Sequence, residues 1–180
     1  SSVSEEDLRI GEGIGIAAAL IILFIVFGAL VAVGIPLILA LMSITIATGI
    51  VSVFASFWDI SFFVTSMISM IGLAVGIDYA LFIVERYREE RRHGRSKMEA
   101  IEMTGGTASK AVLFSGLTVL FALLGLFIIP TTIFRSLGLG AVVVVAVAVL
   151  AMLTLVPAML ALLGDKIDWP RKRHYDDPER

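Results

Sequence analysis

Five apolar runs, at residues 13–35, 36–57, 60–84, 108–129 and 137–163, constrain this chain more than anything else in it. Each exceeds the roughly 20 residues that an α-helix needs to cross a hydrocarbon core of about 30 Å. Inside a bilayer each backbone polar group must find its partner within the protein, which leaves helices as the structure for such runs. The expected fold is therefore all-α: a polytopic membrane bundle of five transmembrane helices. Composition agrees, with 58 % hydrophobic residues, 17 % charged residues and no cysteine among 180 residues. That balance excludes a water-soluble domain, a disordered chain and a disulfide scaffold. The net charge of −2 also lacks the surplus of a nucleic-acid binder, so no nucleic acid is expected as partner.

The charges are segregated along the chain. Within the five runs only Asp78 and, near one end, Lys110 are charged. Five alternating spans put the two chain ends on opposite sides. The loop 85–107 and its margins hold Arg86, Arg88, Arg91, Arg92, Arg95, Lys97 and Lys110, and the tail 164–180 adds Lys166, Arg171, Lys172, Arg173 and Arg180. Together these are 12 of the 14 basic residues, leaving Arg9 and Arg135 opposite. The positive-inside rule makes the loop and the C-terminus cytoplasmic and the N-terminus extracytoplasmic. Residues 1–12 show no initiator Met and no basic signal region. They are expected to be the extracytoplasmic lead-in of a longer chain, with a processed or tagged end as the alternative.

Local patterns refine the spans. The first two are expected to meet at Val31–Pro36, with Pro36 in the first turn of the second helix. Thr45, Thr48 and Ser52 form a polar stripe that either faces other helices or bonds its own helix carbonyls. The third helix is expected to run beyond the bilayer toward Gly94. Ser96 to Glu99 fits a capping box opening a short helix that Gly105 and Gly106 stop. That helix lies either in the headgroup layer or in water. On the fourth span Ala108, Ala111, Ser115, Thr118, Ala122 and Gly125 make one small-residue seam, a packing face by composition. Pro157 is expected to bend the fifth span.

Asp78 is the residue with chemistry. It lies six residues before the end of the third run, roughly 9 Å inside the boundary at helical rise. A carboxylate at that depth costs several kcal/mol unless protonated, paired or hydrated, and such acids mark proton or ion paths. Ser69, Gly72, Gly76 and Ala80 form a small-residue stripe nearly opposite Asp78 on the helix. The third helix should then be covered by protein on both sides and be central. Ser115, roughly 10 Å deep on the fourth span, belongs to the same level as Asp78 and Tyr79. Asp78 and Tyr79 are thus the candidate proton relay, with Ser115 and Thr118 as neighbours. Gly72, Gly76, Ala80, Ala111 and Ala122 are the candidate helix-packing positions. The alternative is an Asp78 that stays neutral and bridges helices. An intramembrane aspartyl protease needs two carboxylates sharing one site, and these spans supply one. No catalytic or metal-ligating residue is expected.

The run Gly72-Leu-Ala-Val-Gly-Ile-Asp78-Tyr79-Ala-Leu-Phe-Ile-Val-Glu-Arg-Tyr-Arg-Glu-Glu90 resembles the Asp-Tyr span of MmpL-type transporters of the resistance–nodulation–division superfamily. Phe27 to Leu37, Phe114-Ser-Gly-Leu-Thr118 and Thr154-Leu-Val-Pro-Ala158 extend the resemblance over nearly the whole chain. It implies five spans of an N-terminal half, the block called the sterol-sensing domain in eukaryotic relatives. It further implies proton-driven export of lipids or other hydrophobic molecules from the bacterial inner membrane. Protons would be the coupling ion, with no other cofactor. The implied partners are membrane lipids, the hydrophobic cargo, a porter domain and a C-terminal half bearing a second Asp-Tyr pair, and a homo-oligomer is compatible with the resemblance. A lipid-binding or regulatory module of sterol-sensing type, without transport, is the competing reading. A part in protein translocation, also within the superfamily, fits the Gly-Ile-Asp-Tyr context less well.

Overall fold

The structure, a computed structural model, describes residues 30–169 and, before them, Ile10, 13–15, Ala17, Ala18 and Ile21. Most of the expected first span, the lead-in 1–12 apart from Ile10, and the tail from Pro170 lie outside the described residues. Helix α1 is Leu30–Ala55, α2 is Phe63–Arg92, α3 is Lys97–Thr104, α4 is Lys110–Leu124 and α5 is Thr132–Leu163. No strand occurs among the described residues. Four stretches there are long and apolar enough to cross a membrane: Val31–Ala55, Phe63–Arg92, Lys97–Ile128 and Thr132–Lys166. The protein is a helical membrane bundle.

Three boundaries differ from the sequence reading, each for a local reason. Residues 31–36 do not form a joint; α1 runs through them with Pro36 inside. A proline removes one amide donor and crowds the carbonyl four residues back, which a transmembrane helix tolerates where neighbouring helices absorb the defect. Pro36 is itself buried against such neighbours. Gly105 and Gly106 do not end a helix either. A π-helical turn, Gly105–Ser109, links α3 to α4, both glycines keeping the right-handed path. Finally, α5 starts five residues earlier than the apolar run. Thr131 caps it, its Oγ1 accepting from the Phe134 amide at 3.4 Å, so that residues 132–136 become helical although Thr132, Arg135 and Ser136 are polar.

Among the described residues the last helix meets more of the other helices than the third span, α2, does. There α5 packs against α1, α2 and α4, and half of its most apolar stretch is buried against a third of that of α2, with Val144, Val145, Ala148, Val149, Met152 and Val156 turned inward. Helix α2 packs against α1 and α5 along its small stripe. A Cβ on Gly72 would meet Ile44 Cγ1 at 2.6 Å and Val144 Cγ2 at 2.8 Å, and one on Gly76 would meet the Ala40 Cα at 2.8 Å. Missing side chains thus let three backbones approach, the usual route to affinity where lipid removes the hydrophobic drive between helices. Gly76→Val is expected to destabilise the folded protein by about 1–3 kcal/mol, since the obstacle is backbone and cannot rotate away. Gly49→Ala, with nothing within 4 Å, should be close to neutral in the same thermal-unfolding measurement.

The polar stripe on α1 is resolved toward its own backbone. Thr45 Oγ1 donates to the Leu41 carbonyl and Ser52 Oγ to that of Thr48, each at 2.8 Å, and both side chains are exposed. The capping box is formed: Ser96 Oγ accepts from the Glu99 amide, and Glu99 Oε2 accepts from the Ser96 amide at 3.0 Å.

Candidate functional site

Helix α2 places Asp78 and Tyr79 side by side, and their surroundings are opposite. Tyr79 is buried, 9 % exposed, and its Oη lies 3.4 Å from Ser115 Oγ on α4. Asp78 is exposed and, among the described residues, has no ion-pair partner. The one-residue step turns it about 100° around the helix, away from the stripe that binds α1 and α5. The expectation that α2 is covered on both sides is therefore not met within the described residues. The described neighbours α1 and α5 both meet the small-residue side of α2, at Gly72 and Gly76. Among the described residues the flank carrying the acid stays open.

Of the predicted relay neighbours, Ser115 is brought to Tyr79, while Thr118 stands one turn further along α4. Its Oγ1 donates to the Phe114 carbonyl at 2.9 Å and it is exposed. The predicted packing positions divide. Gly72, Gly76 and Ala80 are buried, whereas Ala111 and Ala122 are exposed. The packing face of α4 is instead Val112 and Gly116, continuing from Ala108 in the turn before it, with Val149 of α5 filling the space where a Gly116 side chain would stand. Spacing by threes and fours identifies a face but not its direction. A valine seated on a glycine decided that direction here, and the seam containing Ala111 and Ala122 faces out.

The charged end of the bundle holds a site that sequence reasoning read as solvated helix. Arg88 pairs with Asp168 at 2.5 Å and with Glu85 at 2.8 Å. Arg86 joins Glu89 at 2.6 Å and Glu90 at 2.5 Å, and Arg95 also pairs with Glu90. Lys97 reaches Asp165 at 2.9 Å, with Arg91 at 3.9 Å from the same carboxylate. Arg88, Glu90, Arg91 and Asp168 are each at most 5 % exposed, and Tyr87 is fully buried. The last turn of the bundle, Gly164–Lys166, and the residues after it are thereby clasped to α2. A signal was present: the buried stripe Gly72, Gly76, Ala80 continues at helical spacing through Ile83, Tyr87 and Arg91. Charge along the segment concealed it.

Long apolar helices packed through glycines define a polytopic membrane protein. Residues 1–179 match the MMPL family model, and the chain belongs to the MMPL family. It is 42 % identical over 164 residues to the mycolic acid-containing lipids exporter MmpL11 of Mycolicibacterium smegmatis, covering 91 % of this chain and 17 % of that protein. Against the heme uptake protein MmpL11 of Mycobacterium tuberculosis it is 42 % identical over 158 residues, 88 % of this chain and 16 % of the relative. Against the trehalose monomycolate exporter MmpL3 of the same species the identity is 33 % over 162 residues, 90 % of this chain and 17 % of the relative. The chain thus spans about a sixth of the length of these relatives.

Proposed function

We propose that this chain is the proton-translocating membrane module of an exporter of lipids or other hydrophobic molecules, with Asp78 and Tyr79 as the relay. The observation that carries this reading is an acid in an apolar span, uncovered by the helices around it. Lipid solvates a carboxylate poorly, so the open flank calls for a second protein surface or a water-filled path. A C-terminal half with its own Asp-Tyr pair would supply such a surface. Tyr79 and Ser115 can pass or hold a hydrogen bond beside it, since each hydroxyl both donates and accepts. The relatives support the cargo class: mycolic acid-containing lipids, trehalose monomycolate and heme are all large and mostly apolar. The bacterial relatives support an inner-membrane location, and the basic residues support a cytoplasmic side for the loop 85–107 and the C-terminus.

Energetically the scheme is sufficient. Each proton crossing a potential of 100 mV releases about 2.3 kcal/mol, enough to bias a two-state helix rearrangement when a pH gradient adds to it. The test is transport of a fluorescent long-chain lipid by the full-length protein in proteoliposomes. Export should rise with an imposed proton gradient and collapse with a protonophore. Gradient-independent export would overturn the coupling, and lipid binding without any export would favour the regulatory module.

A further inference from the structure

The turn that joins α3 to α4 holds one residue more than an α-helix would place there. Gly105–Ser109 is a single π-helical turn, whose hydrogen bonds span five residues instead of four. Both of its glycines are right-handed, and a Cβ on either would meet nothing within 4 Å. They are therefore needed neither for a left-handed bend nor for a close approach. What they supply is a turn with little to hold it in one form, since glycine is the weakest helix former after proline. The stretch 97–128 that contains α4 is also the least buried of the four apolar stretches. Helix α4 moreover carries two faces fit for packing. Val112 and Gly116 are turned to α5, with Val149 in the space of a Gly116 side chain. One residue back along the chain, Ala111, Ser115, Thr118 and Ala122 form the small-residue seam that stands exposed among the described residues.

One residue is the difference between these faces, and one residue is what the π turn holds in excess. Winding that turn into regular α-helix would rotate α4 by about 100° relative to α3 and bring each residue to the place its successor holds now. Ala111 would take the position of Val112, and Ser115 that of Gly116 against Val149. We propose that the π turn is a register switch for α4, with the Gly116 face inward in the described form and the seam of Ala111 and Ser115 inward in the other. The described form has the tighter fit. A Cβ at Gly116 would run into Val149 Cγ2, so Ser115 enters only as that valine turns or α4 shifts outward. The switch reaches the candidate site through one contact. Tyr79 Oη lies 3.4 Å from Ser115 Oγ in the described form, and in the other form Phe114 takes the place of Ser115. The register shift stands on packing alone; only its action on proton transfer rests on the reading of Asp78 and Tyr79 proposed above.

Disulfide cross-linking of full-length protein in native membranes, in a background with its other cysteines replaced, reads both registers. Gly116→Cys with Val149→Cys reports the described one, in which a Gly116 Cβ would lie 3.5 Å from the Val149 Cβ, within disulfide reach. Ser115→Cys with Val149→Cys reports the other. Both products are expected, the first in excess. Gly105→Ala with Gly106→Ala strengthens regular α-helix where the added methyls meet nothing, and should raise the second product about fivefold relative to the first. Deletion of Gly106 removes the extra residue and fixes the described face in unbroken α-helix, so it should keep the first product and abolish the second. Absence of the second product from every background overturns the switch, and so does a ratio that neither change at the turn alters. Export by the Gly106-deleted protein is measured alongside. Loss of export with the first product retained is expected. Normal export overturns the action on Tyr79 and leaves the register shift standing, whereas the relay itself falls only with active Asp78→Asn protein.

Discussion

Full-length protein carrying Asp78→Asn is expected to reach the membrane in normal amounts and to lose gradient-driven export by at least about a hundredfold, the scale a positioned proton-transfer group supplies. Normal insertion follows because the side chain is exposed and makes no ion pair among the described residues, so its replacement breaks no packing within this bundle. Asparagine keeps the shape and cannot ionise. Tyr79→Phe is the informative companion. It removes only the hydroxyl that stands 3.4 Å from Ser115, and a partial loss of rate is expected from it. Undiminished, gradient-dependent export by Asp78→Asn would sink the relay. Loss of the protein from the membrane would instead place Asp78 among the residues that hold the assembly together.

The largest effect on stability is expected at the opposite kind of acid, the one with partners. Asp168→Ala would take from the buried Arg88 its partner at 2.5 Å, and breaking a buried pair from one side typically costs about 3–5 kcal/mol. Because Glu85 stays in place at 2.8 Å, the lower end of that range applies. Chemical unfolding of full-length protein should show the loss, and the double variant Arg88→Met with Asp168→Leu should recover much of it. A well-packed apolar pair often matches a buried ion pair in stability, whereas a widowed charge does not. Equal stability of Asp168→Ala and the wild type would mean that this contact is open to water.

The sequence was most informative where one rule dominated. Span length and the segregation of charge carried the fold class, because an apolar run of more than 20 residues has few alternatives. Gly72, Gly76 and Ala80 were legible as a contact face for the same reason that they pack: nothing else brings backbones so close. Direction and punctuation were harder. The seam on α4 was visible, but whether Ala111 or Val112 turned inward depended on Val149, more than 30 residues away. Pro36 and the pair Gly105–Gly106 read as breaks by habits learned from soluble helices. The helix instead continues past Pro36, whose missing donor neighbouring helices absorb, and the glycines pass through a π-helical turn. The clasp of α2 by Asp165 and Asp168 was illegible for a different reason. Long-range ion pairs leave no periodic trace, and a charged segment ordinarily signals exposure.

Helix α2 is one unbroken rod from Phe63 to Arg92, so it carries Asp78 and Arg88 on a single rigid shaft. Ten residues separate them, a lever arm of roughly 15 Å. A tilt of about 10° pivoting at the acid would sweep the guanidinium through about 2.6 Å, given that helical rise. The Arg88–Asp168 bridge is 2.5 Å long, so a tilt of that size is enough to part it. A tilt of α2 at the acid would therefore reach the bridge, because one helix carries both.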